Sequence, residues 1–455
     1  MLMEFKDALN CNADVLGALN GFDSVCIDSR EVKQGSLFVA LNGTKVDGHN
    51  FVEQAFNAGA VGAVVQKSSI QSFDLKNLAQ KKNAVLIAAD DTLKCLQDLA
   101  GLYLKKFPGL LRVGITGSAG KTTTKEIAVA IMANEKNVVC NAGNFNSETG
   151  LPLSVFSVRA EHEIGVFEMG MNRCGEIAEL AEVLQPDIAC ITNVGSAHVG
   201  CIGSLEKIAL EKKTIFSKFT GKQIAILPDC GNFKALLEDG IKGSVNYFGL
   251  DTFKKQGGQK KSKGLSGTEI FMEGQNVNFA LPGDHNFVNA LAAAAVAKSA
   301  GIQSVSIIKG LSNVKAMFGR CEIISGEAEV VLDCYNSNPQ SLKEALDLCN
   351  AAQCSGRKIF VIGEMLELGS ESKAEHEKAG ELLNDSLCEF VFLFGTETLE
   401  TKKKIKSKKC FWTNDIEELK TELNKTVQKG DLVLLKGSRG CALERAVGNW
   451  GKRGA

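Results

Sequence analysis

The stretch LRVGITGSAGKTTTKE, Leu111–Glu126, decides the fold of this chain because it joins an apolar strand to a tight turn and a helix. In the turn, Gly117 and Gly120 allow backbone N–H groups to close around phosphate oxygens at the positive end of the helix dipole. Lys121 adds a mobile charge, and Thr122 can offer a hydroxyl to Mg²⁺. The stretch is a shortened phosphate loop that predicts binding of ATP or GTP, the alternative being an ordinary Gly-rich turn.

The composition predicts a globular protein of several domains. A chain of 455 residues fits roughly two to four domains of about 100 to 200 residues each. Lys and Arg number 52 and Asp and Glu number 53, so the net charge of −1 creates no global field for nucleic acid or an acidic membrane. No apolar run approaches the ~20 residues that span a bilayer, and the first residues lack the apolar region of a signal peptide. We therefore expect a cytoplasmic protein with no nucleic-acid partner and no membrane insertion.

The 15 cysteines are many, but their number is odd and no Cys-X-X-Cys pair occurs. Several of them, such as Cys190 and Cys334, lie within apolar segments. Buried free thiols in a reducing compartment explain this pattern better than disulfides or a zinc site.

Alternating strand-like and helix-like runs predict an α/β fold of three domains. Residues 1–107 predict a small α/β domain that ends near Phe107-Pro108-Gly109, because Pro and Gly stop a helix. Residues 108–313 predict a central domain with a doubly wound parallel sheet around the phosphate loop. Residues 314–455 predict a Rossmann-like domain. The Lys- and Gly-rich stretch 254–264 predicts a solvated loop.

Two polar clusters in the first domain lie beside apolar runs, where loop residues can contact a ligand. They are Asp28-Ser29-Arg30 and Asp47-Gly48-His49. Because Asp and Gly also favour turns, turn chemistry alone is the simpler explanation of both clusters. The residues leave the choice open.

Two side chains in the central domain follow apolar strands. Glu168 ends the run GVFEMG, and His198 lies in NVGSAHVG after the run ITNV. A carboxylate and an imidazole at the ends of strands, together with Thr122, predict a site for Mg²⁺ and a substrate oxygen. Either side chain alone could equally be an ordinary surface or hydrogen-bonded polar residue.

Lys212 lies on the apolar face of a helix that follows Ser204. The face is formed by Leu205, Ile208, Ala209, Ile215 and Phe216. A lysine held against an apolar face tends to lose its proton, and a neutral amine can react with CO₂ to give a carbamate. Snorkelling toward water or an ion pair is the alternative.

Polar residues also cluster around two later elements. Asn286 and Asn289 begin an Ala-rich helix, in which Asp284 or Asn286 could be the N-cap. Further along, Arg320 precedes a strand, and the strand ends in a polar cluster in which Asn338-Pro339 predicts an N-cap and a first-turn proline. The members of that cluster are Asp333, Tyr335, Asn336 and Asn338.

Taken together, these motifs resemble the Mur ligases of peptidoglycan synthesis over nearly the whole chain. The shared ATP-ligase segments are ITGSAGKTTTKE, FEMG, NVGSAHVG, PGDHNFVNALAA and the pair Gly319-Arg320. The segment DSREVKQGSLFVALNGTKVDGHNF resembles the UDP-sugar-binding domain of the family. NFNSETGLPLS, DCYNSNPQSL, IGEMLELG and LLKGSRGCALE point to the member that adds a dipeptide.

The resemblance implies a role for each candidate residue. It implies ATP binding by Thr116, Gly117, Ser118, Ala119, Gly120, Lys121, Thr122, Thr123, Asn286, Asn289, Arg320 and Asp333. It implies substrate binding by Ser29, Arg30, Asp47, Gly48, His49, Asn144, Asn146, Thr149, Tyr335, Asn336 and Asn338. It implies catalytic roles for Lys121, Glu168, His198 and Lys212, with Mg²⁺ held by Thr122, Glu168 and His198 and with Lys212 carbamoylated.

The resemblance also implies a reaction. ATP would phosphorylate the terminal carboxylate of UDP-N-acetylmuramoyl-tripeptide, and the amine of D-alanyl-D-alanine would then attack the acyl phosphate. We expect a monomer with these small molecules as its partners. Two alternatives stay open: another Mur-type ATP ligase that adds a single amino acid, or a nucleotide-binding regulator without turnover.

Overall fold

The structure is a computed structural model that describes residues 2–18, 20–43, 46–195 and 199–451. His198, one of the predicted metal ligands, lies outside the described residues. The chain forms two compact units. The first comprises Met1–Gly114, Lys136–Met171 and Gly175–Asp187, and the second comprises Ile115–Glu135, Asn172–Cys174 and Ile188–Ala455. The boundaries at residues 107 and 313 stay a prediction.

The N-terminal part of the first unit is built on a five-stranded sheet. The described strands of this part are β1 (Met3–Glu4), β2 (Asp14–Leu16), β3 (Gly21–Phe22), β4 (Ser24–Cys26), β5 (Ser36–Val39), β6 (Gly62–Gln66) and β7 (Val85–Ala89). Of these seven strands, β2, β4, β5, β6 and β7 form that sheet. The sheet has the order β2-β7-β6-β5-β4, in which only β2 is antiparallel to its neighbour. Its helices are α1 (Val52–Asn57), α2 (Ser69–Ser72), α3 (Leu75–Lys82) and α4 (Thr92–Leu104), with 3₁₀ turns at Phe5–Cys11 and Gly48–Phe51.

A six-stranded sheet carries the phosphate loop. Its strands are β8 (Leu111–Thr116), β9 (Val138–Cys140), β10 (Ile164–Glu168), β11 (Ile188–Ile191), β12 (Ile224–Pro228) and β13 (Ser244–Phe248). The order is β13-β12-β11-β8-β10-β9, and β8 contributes residues to both units. Each pair among β9–β10, β11–β12 and β12–β13 is parallel. These parallel pairs agree with the parallel sheet that the sequence predicts around the phosphate loop.

Helices and short turns connect these strands, and further helices follow the last strand, β13. The helices are α5 (Lys121–Met132), α6 (Gly150–Val155), α7 (Glu176–Leu184), α8 (Val199–Ile202), α9 (Leu205–Lys213), α10 (Lys234–Glu238), α11 (Leu250–Lys255), α12 (Asp284–Ser299) and α13 (Ser304–Asn313), with a 3₁₀ turn at Thr214–Phe216. Gly283 occupies the N-cap position of α12, and Asn286 instead donates to the carbonyl of Pro282 at 2.8 Å. The prediction that Asp284 or Asn286 caps this helix was therefore wrong.

The predicted loop at 254–264 was also wrong in part. Residues 254 and 255 end α11, and β14 (Gln259–Ser262) pairs antiparallel with β15 (Thr268–Met272), which pairs with β16 (Gln275–Phe279). Gly264–Ser266 forms a 3₁₀ turn. Every side chain of β14 is exposed, so only its backbone pairing makes it a strand. A hydrophobic pattern cannot reveal such pairing.

The C-terminal part forms a second six-stranded sheet. Its strands are β17 (Glu322–Ser325), β18 (Glu329–Asp333), β19 (Lys358–Gly363), β20 (Phe390–Phe394), β21 (Lys409–Thr413) and β22 (Leu432–Lys436). The order is β17-β18-β22-β19-β20-β21, and only β17 is antiparallel to its neighbour. Its helices are α14 (Pro339–Ala351), α15 (Ser372–Asp385), α16 (Thr398–Lys404) and α17 (Ile416–Thr426), with 3₁₀ turns at Gly369–Glu371, Arg439–Cys441, Leu443–Ala446 and Asn449–Gly451.

Several smaller predictions can be compared with this fold. Asn338 caps α14 through the backbone N–H of Ser341, and Pro339 opens the helix, as predicted. The cysteines whose side chains the structure describes form no disulfide bonds, and most of them are buried. In the part of the chain that the structure describes, no helix has the length and apolar character needed to cross a membrane.

We predict that Gly310→Ala destabilises the packing of α13 on α5. A Cβ atom at Gly310 would lie 2.4 Å from the Cα of Ile131, and a backbone atom cannot rotate away. Overpacking of this kind costs about 1–3 kcal/mol. The exposed Ser312→Ala in the same helix is the control and should change stability by less than about 0.5 kcal/mol. Urea unfolding monitored by circular dichroism measures both variants, and equal midpoints would contradict the expectation.

Candidate functional site

The turn after β8 has no room for side chains at its two key glycines. A Cβ atom on Gly117 would lie 1.8 Å from Thr192 Oγ1, and one on Gly120 would lie 2.2 Å from Asn289 Oδ1. Gly120 also has a φ of 75°, a left-handed conformation that side chains other than glycine rarely adopt. The backbone of the loop is therefore packed directly against the end of β11 and against α12.

Asn193 holds the middle of this loop. Its Oδ1 accepts from the backbone N–H of Ser118 at 3.1 Å and of Ala119 at 2.9 Å, and its Nδ2 donates to the carbonyl of Ala119 at 3.2 Å. Thr192 Oγ1 donates to the same carbonyl at 2.6 Å. The segment that follows β11 thus fixes the loop from one side.

The start of α5 offers an anion-binding arrangement. Gly120 is the N-cap, and no side chain of the described residues caps the helix there. The ammonium of Lys121 folds back and donates to the carbonyl of Gly117 at 2.9 Å, which holds this charge beside the loop. Amides at a helix N-terminus together with an ammonium suit a phosphate group. The first turn contains Thr122 and Thr123, both buried, and Thr116 ends β8.

Arg320 reaches the phosphate loop from the start of the C-terminal sheet. Its Nη2 donates to Thr122 Oγ1 at 3.0 Å, and its guanidinium lies 4.3 Å from the ring centroid of Tyr335. The structure therefore brings Arg320 and Thr122 together although 198 positions separate them in the sequence. A guanidinium in this position can pair with phosphate oxygens.

The side chain of Asp333 is engaged within its own domain. Oδ2 lies 3.0 Å from the ammonium of Lys436, and Oδ1 accepts from the backbone N–H of Cys321 at 3.2 Å. Asn336 also faces Lys436, because its carbonyl accepts from that ammonium at 2.6 Å. Lys436 is 1% exposed. In this structure, Asp333 positions the turn that carries Arg320.

Asn286 and Asn289 lie at the start of α12 and are both buried. Asn289 Nδ2 donates to Asn286 Oδ1 at 3.5 Å, and Thr124 Oγ1 donates to Asn289 Oδ1 at the same distance. These amides link α12 to α5 behind the phosphate loop. A role in contacting the adenine or ribose stays a prediction.

In the first unit, Glu168 ends β10 and is 2% exposed. Its Oε1 accepts from Asn146 Nδ2 at 2.6 Å, and its backbone N–H donates to Asn141 Oδ1 at 2.9 Å. Of the other predicted residues in this loop, Asn144 is exposed, and Thr149 is the N-cap residue of α6. The structure thus brings Asn146 and Glu168 together.

Lys212 lies in the last turn of α9 with only 1% of its surface exposed. Ile208, Ile215 and Phe216 are buried with it, whereas Leu205 is 41% exposed and does not belong to the buried face. Burial lowers the pKa of Lys212 well below its usual value, and the charge of Lys121 lowers it further, while Glu211 opposes both. The buried position of Lys212 is the one that the helical pattern predicts.

Many polar groups of the two clusters in the N-terminal part form hydrogen bonds or ion pairs with other groups of the protein. Ser29 Oγ donates to Gln54 Oε1 at 3.2 Å, and Arg30 pairs with Asp28 at 2.6 Å while remaining largely exposed. His49 Nε2 accepts from the backbone N–H of Gln66, so Nδ1 carries the proton and donates to Asp47 Oδ1 at 2.7 Å. Gly48 packs against the backbone of Leu41. Exposed groups such as the Arg30 guanidinium remain the best placed to contact a ligand.

The donor groups at these positions have the chemistry that Mg²⁺ requires. Thr122 supplies a hydroxyl and Glu168 a carboxylate, and both are hard oxygen ligands. Within the described residues, no group of three or more His, Cys, Asp and Glu side chains could hold a metal ion.

Family models match three successive parts of the chain. The Mur ligase family, catalytic domain, matches residues 22–103; the Mur ligase middle domain matches residues 115–297; and the Mur ligase, glutamate ligase domain, matches residues 319–439. A relative from Treponema pallidum, named UDP-N-acetylmuramoyl-tripeptide--D-alanyl-D-alanine ligase, is 42% identical over 95% of this chain and 94% of its own length.

Solved structures agree with these matches. A crystal structure of MurF from Acinetobacter baumannii is similar over 98% of this chain and 97% of its own, with a TM-score of 0.86 and 26% identity. MurF ligase from Thermotoga maritima, in complex with ADP, is similar over 94% of this chain and 97% of its own, with a TM-score of 0.79 and 30% identity. The predicted three-domain α/β fold is thereby confirmed.

We predict that Gly117→Ala weakens nucleotide binding because its Cβ would displace Thr192, which holds the loop. We expect the dissociation constant of a fluorescent ATP analogue to rise at least about tenfold, a change of ~1.4 kcal/mol. Gly109→Ala is the control, since a Cβ atom there meets nothing within 4 Å. Equal affinities of the two variants would show that the close packing at Gly117 is not needed for binding.

Proposed function

This chain belongs to the Mur ligase family, and we propose that it is the ATP-dependent ligase that joins D-alanyl-D-alanine to UDP-N-acetylmuramoyl-tripeptide. The observation that carries the proposal is the 42% identity, over 95% of the chain, to a relative with that activity in its name. The phosphate loop with Lys121 and Arg320 supports the use of ATP.

The reaction forms an amide bond in two steps. The terminal carboxylate of the tripeptide attacks the γ-phosphorus of ATP, so that an oxygen–phosphorus bond forms and the bond to the β-phosphate oxygen breaks. This gives an acyl phosphate and ADP. The amine of the dipeptide then attacks the acyl carbon, loses a proton and expels phosphate through a tetrahedral intermediate.

Phosphoryl transfer depends mainly on positioning and on charge stabilisation. In our proposal, the loop Thr116–Thr123 cradles the phosphates, and Lys121 offsets charge on the transferring group. Arg320, which donates to Thr122, would pair with oxygens of the same phosphates. Asn286 and Asn289 would contact the adenine or the ribose. Mg²⁺, held by Thr122, Glu168 and His198, would neutralise further phosphate charge.

The remaining predicted residues divide between the two other substrates. We assign binding of the UDP-sugar to Ser29, Arg30 and residues 47–49. We assign binding of the tripeptide to Asn144, Asn146 and Thr149. Tyr335, Asn336 and Asn338 are assigned to the dipeptide because they follow β18 beside Arg320.

We further propose that Lys212 is carbamoylated. Its neutral amine would add to CO₂, forming a nitrogen–carbon bond and releasing a proton, so that a cation becomes an anion. Burial and the nearby charge of Lys121 both favour the neutral amine that this reaction needs. The resulting carboxylate would offset the charge of Lys121.

The product would be the UDP-linked pentapeptide precursor of peptidoglycan, and through it the enzyme would serve cell shape and division. We propose that it works in the cytoplasm, where ATP and nucleotide-linked precursors are available, and without a nucleic-acid or membrane partner. A monomer suffices, because one chain supplies every proposed site residue.

We predict that phosphate release from ATP and Mg²⁺ requires both UDP-N-acetylmuramoyl-tripeptide and D-alanyl-D-alanine. Lys121→Ala should lower the rate by about 10²- to 10³-fold, since it removes a charge aimed at the transferring phosphoryl group. A colorimetric phosphate assay measures both. Release with a single amino acid in place of the dipeptide would indicate another Mur-type ligase, and ATP binding without turnover would indicate a regulator.

We predict that protein equilibrated with ¹³C-bicarbonate shows a carbamate signal by NMR that disappears in Lys212→Met. The signal should fall as the pH falls through the lowered pKa of Lys212, because the protonated amine cannot react with CO₂. Lys213→Met is the matched control, because Lys213 is more exposed and lies 3.7 Å from Asp239. A signal that persists in Lys212→Met, or none in the unmodified protein, would contradict carbamoylation.

A further inference from the structure

Lys436 is buried, and its ammonium contacts the loop that follows β18. It ends β22, directly opposite Asp333 in the parallel pair of strands. Its Nζ lies 3.0 Å from Asp333 Oδ2 and donates to the carbonyl of Asn336 at 2.6 Å. One side chain thus holds both the beginning and the middle of the segment that leads to the cap of α14.

Through Asp333, Lys436 acts on the turn that carries Arg320. Asp333 Oδ1 accepts from the backbone N–H of Cys321, whose φ of 51° is unusual for a residue other than glycine. Such a conformation persists only where surrounding contacts hold it. The hydrogen bond from Cys321 to Asp333 is such a contact, and it fixes the residue next to Arg320, which donates to Thr122 Oγ1.

Through Asn336, Lys436 acts on the residues assigned to the dipeptide. Four residues, 334–337, separate the end of β18 from the N-cap Asn338. Asp333 and Asn338 fix the ends of this connection, and the bond from Lys436 to the Asn336 carbonyl fixes its centre. Tyr335 lies within it and stacks on Arg320.

The simpler explanation is that Lys436 and Asp333 form a purely structural ion pair. Another ion pair near the same strand allows a comparison. Arg357 pairs with Asp431 at 2.6 Å, at the opposite end of β22. That pair closes the turn before the strand, where Arg357 also donates to the carbonyl of Thr426. Neither of these two partners belongs to the proposed site, whereas both partners of Lys436 do. Because a buried pair adds little net stability, its main effect is geometric.

We propose that Lys436 is a positioning residue that holds the Arg320 turn and the dipeptide loop in one arrangement, and so couples nucleotide binding to dipeptide binding. The dipeptide part of this inference rests on the proposed function. The nucleotide part does not, because it concerns only Arg320 and the phosphate loop.

Lys436→Met tests the inference, since methionine has a similar length without the charge. We expect the KM for D-alanyl-D-alanine and the dissociation constant of the ATP analogue each to rise about 10- to 100-fold, the range for a lost hydrogen bond to a charged group. Arg357→Met is the matched control, which should lower the melting temperature and leave both constants unchanged. If Lys436→Met lowers only the melting temperature, the residue is structural and the proposal fails.

The double variant Lys436→Met with Asp333→Asn separates stability from positioning, because it leaves no unpaired buried carboxylate. The amide oxygen introduced by Asp333→Asn can still accept from Cys321, so the melting temperature should recover, while the KM for D-alanyl-D-alanine stays raised because Asn336 has lost its donor. Recovery of this KM together with the melting temperature would overturn the proposal. Failure of the proposed function is distinguishable, since the unmodified protein would then show no dipeptide-dependent phosphate release.

Discussion

The exclusion of side chains from Gly117 and Gly120 is the constraint on which the site depends. Where a Cβ of Gly117 would lie, the structure has Thr192 Oγ1, and where that of Gly120 would lie, it has Asn289 Oδ1. The same Thr192 hydroxyl donates to Ala119, so the atom that fills the space also holds the loop. The loop is therefore shaped by β11 and α12 together, and its open side is the helix N-terminus that can bind phosphate.

The sequence could predict those features whose causes are local. Strands buried on both faces are continuous apolar runs, so the strand that ends at Glu168, β10, was predicted from its apolar residues. The cap of α14 was found because Asn338 and Pro339 are adjacent and each has a defined preference at a helix start. The burial of Lys212 followed from its helical spacing relative to Ile208 and Phe216.

The features that the sequence could not predict depend on partners far along the chain. Asn193 holds the phosphate loop across some 75 positions, and an Asn after a strand is otherwise an ordinary turn residue. Lys436 ends an apolar run, where a lysine usually extends into water, and only the pairing of β18 with β22 reveals its burial. The N-cap of α12 was missed because Asn286 bonds backward to Pro282. Strand β14 was missed because backbone pairing leaves no side-chain signal.

Lys212 and Lys436 are equally buried, and their chemistry differs because their surroundings differ. Lys436 faces a carboxylate at 3.0 Å, so its charge is balanced and its directed hydrogen bonds can fix a loop. Lys212 lies where burial and the positive charge of Lys121 disfavour protonation. A neutral amine is a nucleophile, whereas a paired ammonium is an anchor. Burial alone therefore assigns neither role, and the groups that surround each lysine decide between them.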